Sequence, residues 1–511
     1  MSMAKLAAAA ASTVLAAAVL ASPVVAQDEK VLRLAYAADI DSFDPDNGFE
    51  VAGLGAINAV YEGLVEYAPG STDIVGLLAE SWTVSEDQLT YTFDLRDDVV
   101  FHDGQPMTSA EVLAALQRRA DERLILSYFL YNVEEMSAPD SDTLVLKLKE
   151  PQPSFLDNLA SPWGPKIVGP AILRDHAGDD LGVSYLSEHA DGTGPFKLAS
   201  FARSQGYTLE RNQDYWADEP YFDRVEIAIV PNIGQQILQL QSGQIDMILH
   251  GYPYAQLGQL SPNLEVTAYD DLGLEIARVN HHRSLADPEV LKAVMAAINP
   301  ELWVADAFGV HGTPALSLYP RAMLQPEKAI EYPTDMEAAR AVIEAKGPIE
   351  VEIAYSVHEA GVQQRVADLL IAQLQAIGVD ATARAVKQQD AYAYKNNFME
   401  APDLHILQVN PDAAHPQTSA ELFYTTGAPL NVYQYSNPAA DEVLKKAGRL
   451  TDRAERDRLY EQGSHMIFDD GGFFPLADIA DVIVHRQGLA DFGTRPAMPW
   501  NVDLGMIRES E

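Results

Sequence analysis

Residues 225–248 read VEIAIVPNIGQQILQLQSGQIDMI, and this stretch decides the fold class. Residues 225–230 form an apolar run ended by Pro231, which cannot donate to a sheet ladder. Residues 233–241 read as a short helix, with Gly243 supplying the left-handed position that ends one. Ile245-Asp246-Met247-Ile248 follows as a second strand. Strand, helix and strand at this spacing make a βαβ crossover, which predicts a parallel pair and an α/β layer.

The same grammar extends in both directions. Upstream, residues 31–36 read as a strand entering the acidic turn Asp39-Ile40-Asp41-Ser42-Phe43-Asp44-Pro45. A calcium loop beginning at Asp44 would need a bidentate Glu where Gly55 stands, so the acids are read as turn formers. Residues 88–96 alternate, with Leu89, Tyr91, Phe93 and Leu95 on one face, which marks a half-buried strand. Thr108-Ser109-Ala110-Glu111 is a capping box that opens a helix reaching about Ala120. Residues 143–149, 196–201 and 207–211 read as further strands. Downstream, Asp287 and Pro288 start a helix with Val290, Leu291, Val294 and Ile298 on one stripe, and Asn299-Pro300 restarts a second that stops near Gly309. Strand 351–355, helix 361–377, Gly378 and strand 379–386 make another βαβ unit. Helices over 439–450 and 452–468, a strand over 473–477 and a Gly/Pro-rich closing wrap complete the chain.

The N-terminus sets the expected compartment. Lys5 precedes an apolar run over 6–20, and Ala21-Ser22-Pro23-Val24-Val25-Ala26 offers small residues to a signal peptidase, so residues 1–26 are expected to be removed. The chain has 0 Cys, hence no disulfides and no lipid-acceptor thiol after the apolar run. The formal net charge is −40, and loss of Lys5 with the signal takes it to −41. Such a surface repels nucleic acid and anionic lipid. It suits solubility, or the steering of cationic ligands.

Hydrolase chemistry is sparse. His358-Glu359-Ala360-Gly361-Val362 begins a zinc-protease pattern but lacks the second His. No Gly-x-Ser-x-Gly elbow occurs, and without Cys there is no thiol nucleophile. Gly192-Thr193-Gly194 is too short for a dinucleotide fingerprint. Neighbouring His281 and His282 on an extended strand would point to opposite faces and could not easily share one metal ion.

Leu78-Ala79-Glu80-Ser81-Trp82, Val100-Phe101-His102-Asp103-Gly104, Gly192-Thr193-Gly194-Pro195-Phe196, Leu240-Gln241-Ser242-Gly243-Gln244-Ile245-Asp246, Gly312-Thr313-Pro314-Ala315 and Tyr435-Ser436-Asn437-Pro438 are spread over most of residues 30–485. Together these segments resemble the solute-binding proteins of oligopeptide, dipeptide and nickel ABC importers. The resemblance implies an α/β, periplasmic-binding-protein-like fold of two lobes that close by a hinge, with an additional inserted α/β subdomain. Lobe I is expected from residues 27–66, 190–272 and 485–511, the inserted subdomain from 67–189 and lobe II from 273–484. Hinges are expected near 271–275 and 478–485.

The resemblance further implies a monomeric, non-enzymatic periplasmic receptor that is not lipid-anchored. It would use no cofactor or metal, and would touch the membrane only through its ABC permease. Its expected cargo is a peptide or amine-bearing solute, with a metal chelate, an opine or a sugar-derived solute as alternatives and a secreted hydrolase as the rival of another class. In peptide-binding members a carboxylate in an Asp-x-x-Asp-Pro-like turn holds the ligand ammonium. Here the turn reads Asn410-Pro411-Asp412-Ala413-Ala414-His415-Pro416, keeping the first carboxylate as Asp412, replacing the second with His415 and lacking the usual preceding Trp. Asp412 is therefore the leading site residue, with Asn410 and His415 beside it. Arg278 is the candidate for a ligand carboxylate, and Glu50, Trp163 and Tyr252 are candidates for the opposite wall.

Overall fold

The computed structural model describes residues 29–357 and 360–510. The expected signal segment and the residues His358 and Glu359 lie outside them.

Two long strands, Leu264–Val279 and Phe473–Arg486, form the spine. They pair antiparallel from Leu264 opposite Arg486 to Arg278 opposite Phe473, with the register broken between Asp270 and Leu274. Both belong to an 11-stranded sheet. On one side Phe473–Arg486 pairs with Met247–Ile248, which is followed by Val31–Tyr36, Arg224–Ile229, Gly206–Arg211 and Phe196–Ala202. On the other, Leu264–Val279 pairs with Leu404–Val409, then Glu350–Ser356 and Asp380–Val386. The fold is thus two lobes on one continuous sheet.

The 225–248 crossover is parallel as expected, but its strands are not neighbours. Arg224–Ile229 and Met247–Ile248 flank Val31–Tyr36, and each runs parallel to it. A crossover this long can step over a strand, since neighbouring strands lie only about 5 Å apart. The strand expected over 473–477 continues to Arg486. Its residues are covered on both faces almost throughout, so it lacks the alternation that reveals a half-buried strand. By contrast, the 351–386 unit forms directly adjacent parallel strands.

A separate antiparallel sheet of Ala79–Val84, Thr90–Leu95, Thr143–Leu148 and Val133–Ser137 lies within residues 67–189. Tyr91, Phe93 and Leu95 face its core, and the helix Ser109–Arg119 packs against it with the Thr108/Glu111 capping box formed. The end of that helix carries a feature the sequence did not announce. Arg118 holds Asp44 at 2.6 Å and also binds Asp46, while Arg119 holds Asp46 at 2.7 Å, all four side chains being buried. Arg119 also donates to the carbonyls of Pro45 and Leu126 at 2.9 Å and to that of Trp163. The acidic turn is therefore an internal socket for two guanidinium groups, and it fixes the segment Ile125–Leu130 and the loop at Trp163. Among the described residues no helix is long and apolar enough to cross a membrane.

Breaking a buried ion network from one side leaves an uncompensated charge, which costs about 3–5 kcal/mol. Arg119→Ala is expected to lower the unfolding free energy by about that amount. Arg123→Ala, which removes an exposed pair with Asp121, should leave the unfolding midpoint close to the parent's. Urea unfolding of the two variants beside the parent checks the contrast, and equal midpoints would refute it.

Candidate functional site

The strand Leu404–Val409 delivers the turn that begins at Asn410. Asp412, 6 % exposed, accepts a hydrogen bond at Oδ2 from the Tyr128 hydroxyl at 2.5 Å. Tyr128 belongs to the segment held by Arg119, so the contact joins lobe II to the 67–189 region. The backbone carbonyl of Asp412 accepts from Ser161 Oγ, and Ala414 N donates to the Tyr67 hydroxyl at 2.9 Å. No donor among the described residues reaches Asp412 Oδ1. Burial raises the carboxyl from its ordinary value to about 6, against the opposing pull of the Tyr128 hydroxyl.

A second polar group lies where the long strands break register. At Gly273 the side-chain ends of Gln408, Asn410 and Asp271 fill the space a Cβ would take, which would stand 2.1 Å from Gln408 Nε2 and 3.2 Å from both Asn410 Oδ1 and Asp271 Oδ2. Asp271, 6 % exposed, receives the amide of Gly273 at Oδ1 at 3.0 Å, while its Oδ2 has no hydrogen-bond partner. Asp481 on the facing strand accepts from the Tyr269 hydroxyl at 2.7 Å and from its following backbone amide. Asp271, Glu275 and Asp481 line an interlobe cavity of about 40 Å³ with Tyr252, Tyr254, His250, Gln408 and Trp500. His250 stacks on Trp500 at 3.9 Å between ring centroids. Among the described residues no group of three or more His, Asp or Glu could hold a metal ion.

The structure brings some of the sequence candidates together and separates others. Asn410 connects the two polar groups, its Oδ1 buried and without a hydrogen-bond partner. Tyr252 lines the cavity. Trp163 is buried with Leu54, Leu126, Phe129 and Met498, behind the exposed ring of Phe49. Glu50 is half-buried, and burial together with the nearby Asp41 raises its carboxyl.

His415 turns away from the Tyr128 contact. Its Nδ1 caps the helix Pro416–Ser419, its ring meets Tyr460 edge-on, and burial lowers it to about 3. Arg278 lies opposite His405, four rungs from the Leu274–Val409 pair and so about 13 Å along the sheet from the turn. Buried near Tyr433 and Tyr424, it is lowered to about 10 by desolvation. Asp271, Asp481, Tyr128 and Trp500 were not singled out by sequence. The first two sit in the expected hinge stretches, Trp500 in the segment read as a wrap, and Tyr128 carries no local signal.

Two lobes on shared strands, with a polar cleft between them, define a solute-binding protein. Residues 73–431 match the profile described as bacterial extracellular solute-binding proteins, family 5 Middle, and the chain belongs to that family. It is 28% identical to the probable D,D-dipeptide-binding periplasmic protein DdpA of Escherichia coli K12, over 87% of this chain and 88% of that one. It is 26% identical to the di/tripeptide-binding protein 2 of Pseudomonas aeruginosa UCBPP-PA14, over 93% and 94%. The ABC transporter substrate binding protein CtaP of Listeria monocytogenes superposes with a TM-score of 0.84 at 21% identity, covering 95% of this chain and 100% of that one.

A buried carboxyl raised to about 6 favours the folded state when protonated and loses that advantage as pH rises from its unfolded value near 4 through 6. Asp412→Asn keeps an acceptor for Tyr128 without the charge. It is expected to be more stable than the parent by about 2–3 kcal/mol at pH 7.5, with the gap closing toward pH 4. Chemical unfolding at the two pH values checks this, and a gap that widens on acidification would refute it.

Proposed function

We propose that this protein is the periplasmic receptor of an ABC importer, capturing a short peptide or another solute with a primary ammonium and presenting it to the membrane permease. The observation that carries the reading is Asp412: a buried carboxylate at the meeting of the lobes, one oxygen held by Tyr128 and the other without a donor among the described residues. An ammonium placed on that oxygen would supply the charge the site lacks. Burying a cation unpaired costs several kcal/mol, so closure would select ligands whose ammonium reaches Asp412. The names of the two relatives, both peptide-binding proteins, support a peptide cargo. Asn410 would border the ligand, with Trp163 packed behind the exposed Phe49 ring, while Arg278 and His415 would serve the interior of lobe II. Lobe closure would be taken up at the broken register near Asp271.

Ligand that binds only the folded state stabilises it by mass action, by about 2.7 kcal/mol at a hundred times Kd. Dipeptides with a free amino terminus should raise the melting temperature of the processed protein, and their N-acetylated forms should not. Asp412→Asn should lose this response despite its higher intrinsic stability. Stabilisation that survives N-acetylation would remove Asp412 from its role. Turnover of a peptide during the same titration would replace the receptor reading with an enzymatic one.

A further inference from the structure

The interlobe cavity at the crossing strands is separate from the Asp412 contact and has its own chemistry. Its volume of about 40 Å³ holds roughly three water-sized groups, the size of an ammonium head with its last methylenes. Three buried acids, Asp271, Glu275 and Asp481, line it, and aromatic rings of Trp500, Tyr252 and Tyr254 complete its walls. No Lys or Arg is among the described residues that line it; its basic side chain is His250, whose Nδ1 lies 3.9 Å from Asp481 Oδ1. Carboxylates beside aromatic faces are the surroundings that favour an organic cation.

An independent observation shows that the acids are not fully accounted for by the protein itself. Asp481 is served by Tyr269 and a backbone amide, whereas Asp271 Oδ2 is buried without a hydrogen-bond partner. Leaving such an atom unsatisfied costs about 1–3 kcal/mol, an arrangement expected where a ligand completes the contact. Desolvation and the nearby charge of Asp481 both push the Asp271 carboxyl well above its ordinary range, and the charge of an incoming cation would act against both. The position is also built for reach. Asn410 shares the space around Gly273 with Asp271, and Asp412 follows two residues later, within about 7 Å along the backbone.

From this arrangement we propose that the cavity is a second cation subsite, so that the preferred cargo carries two positive groups: one ammonium on Asp412 and a side-chain ammonium beside Asp271 and Asp481. The inference rests on the receptor reading above and narrows its cargo to lysine-like peptides and diamines. The cavity suits a lysine-type ammonium better than the broader guanidinium of arginine. A bare metal ion is disfavoured because no three-residue ligand set exists among the described residues.

The test is calorimetric titration of the processed protein with Ala-Lys, Ala-Arg, Ala-Ala and Ala-(Nε-acetyl-Lys). Ala-Lys is expected to bind about ten-fold or more tightly than its acetylated form, with Ala-Arg between them. Asp271→Asn, which keeps the side-chain shape and the bond from Gly273, should reduce the ratio between Ala-Lys and its acetylated form to below about three. Equal affinity of the parent for the two forms would overturn the subsite and leave the receptor reading standing. An unchanged ratio in the Asp271→Asn protein would overturn the assignment to this cavity. Should that variant not fold, Asp481→Asn, which keeps the acceptor for Tyr269, is read in its place by the same criterion. If none of the four peptides binds, the peptide-receptor reading fails and the subsite with it.

Discussion

Everything at the cleft depends on the pairing of Leu264–Val279 with Phe473–Arg486. Each strand serves both lobes, so the lobes share backbone hydrogen bonds across the crossing and are not merely tethered by linkers. Such a joint cannot slide, because a shift by one residue would turn every buried side chain to the opposite face. A change in lobe orientation would have to be absorbed where the ladder is already irregular, between Asp270 and Leu274. That is also where Gly273 lets Gln408, Asn410 and Asp271 crowd together. The polar floor of the cleft and the weak point of the ladder are therefore one place, and ligand contacts made there would bear directly on the lobe angle.

The second determinant is the ion network of Asp44, Asp46, Arg118 and Arg119. It is remote from Asp412, yet it acts on it through Arg119, whose bonds to Leu126 and Trp163 anchor the backbone on both sides of the Tyr128 contact. A hydrophobic cluster runs the same way, from Phe93 and Leu146 through Phe155 to Val409, Tyr424 and Phe473. Packing alone would tolerate small rotations of the 67–189 region. The guanidinium contacts, being directional and buried, resist them.

The sequence made the regular elements legible where one face was wet. The alternation around Phe93, the capping box at Thr108 and the Asp287-Pro288 helix start all report local physics, and the structure contains each of them. The spine was only half legible, since a strand covered on both faces shows no alternation, and the strand read over 473–477 runs on to Arg486. The acidic turn at Asp44 was readable as a turn but not as a socket, because its partners lie more than seventy residues away. For the site, the turn at Asn410 was found through resemblance, while Tyr128 and Trp500 are made into site residues by topology alone. Arg278 looked near the cleft in sequence, being only a few residues past Leu274. In an extended strand those few residues are a long distance.

The formal charge of −40 invites an electrostatic account of ligand choice, but surface charge is screened within about 10 Å at ordinary salt. The acids that could discriminate between ligands are the buried ones, where screening is weak. Asp412 and Asp271 are both raised by desolvation, which means that the protein holds their ionised forms at a cost to stability. A cation arriving at either would recover part of that cost, and only if it sheds its own water and fits the space. A neutral solute of the same shape would recover nothing. Selectivity for positive charge would then arise from the protein's reluctance to leave these groups alone, and the acidity of the exterior would add only to the rate of encounter.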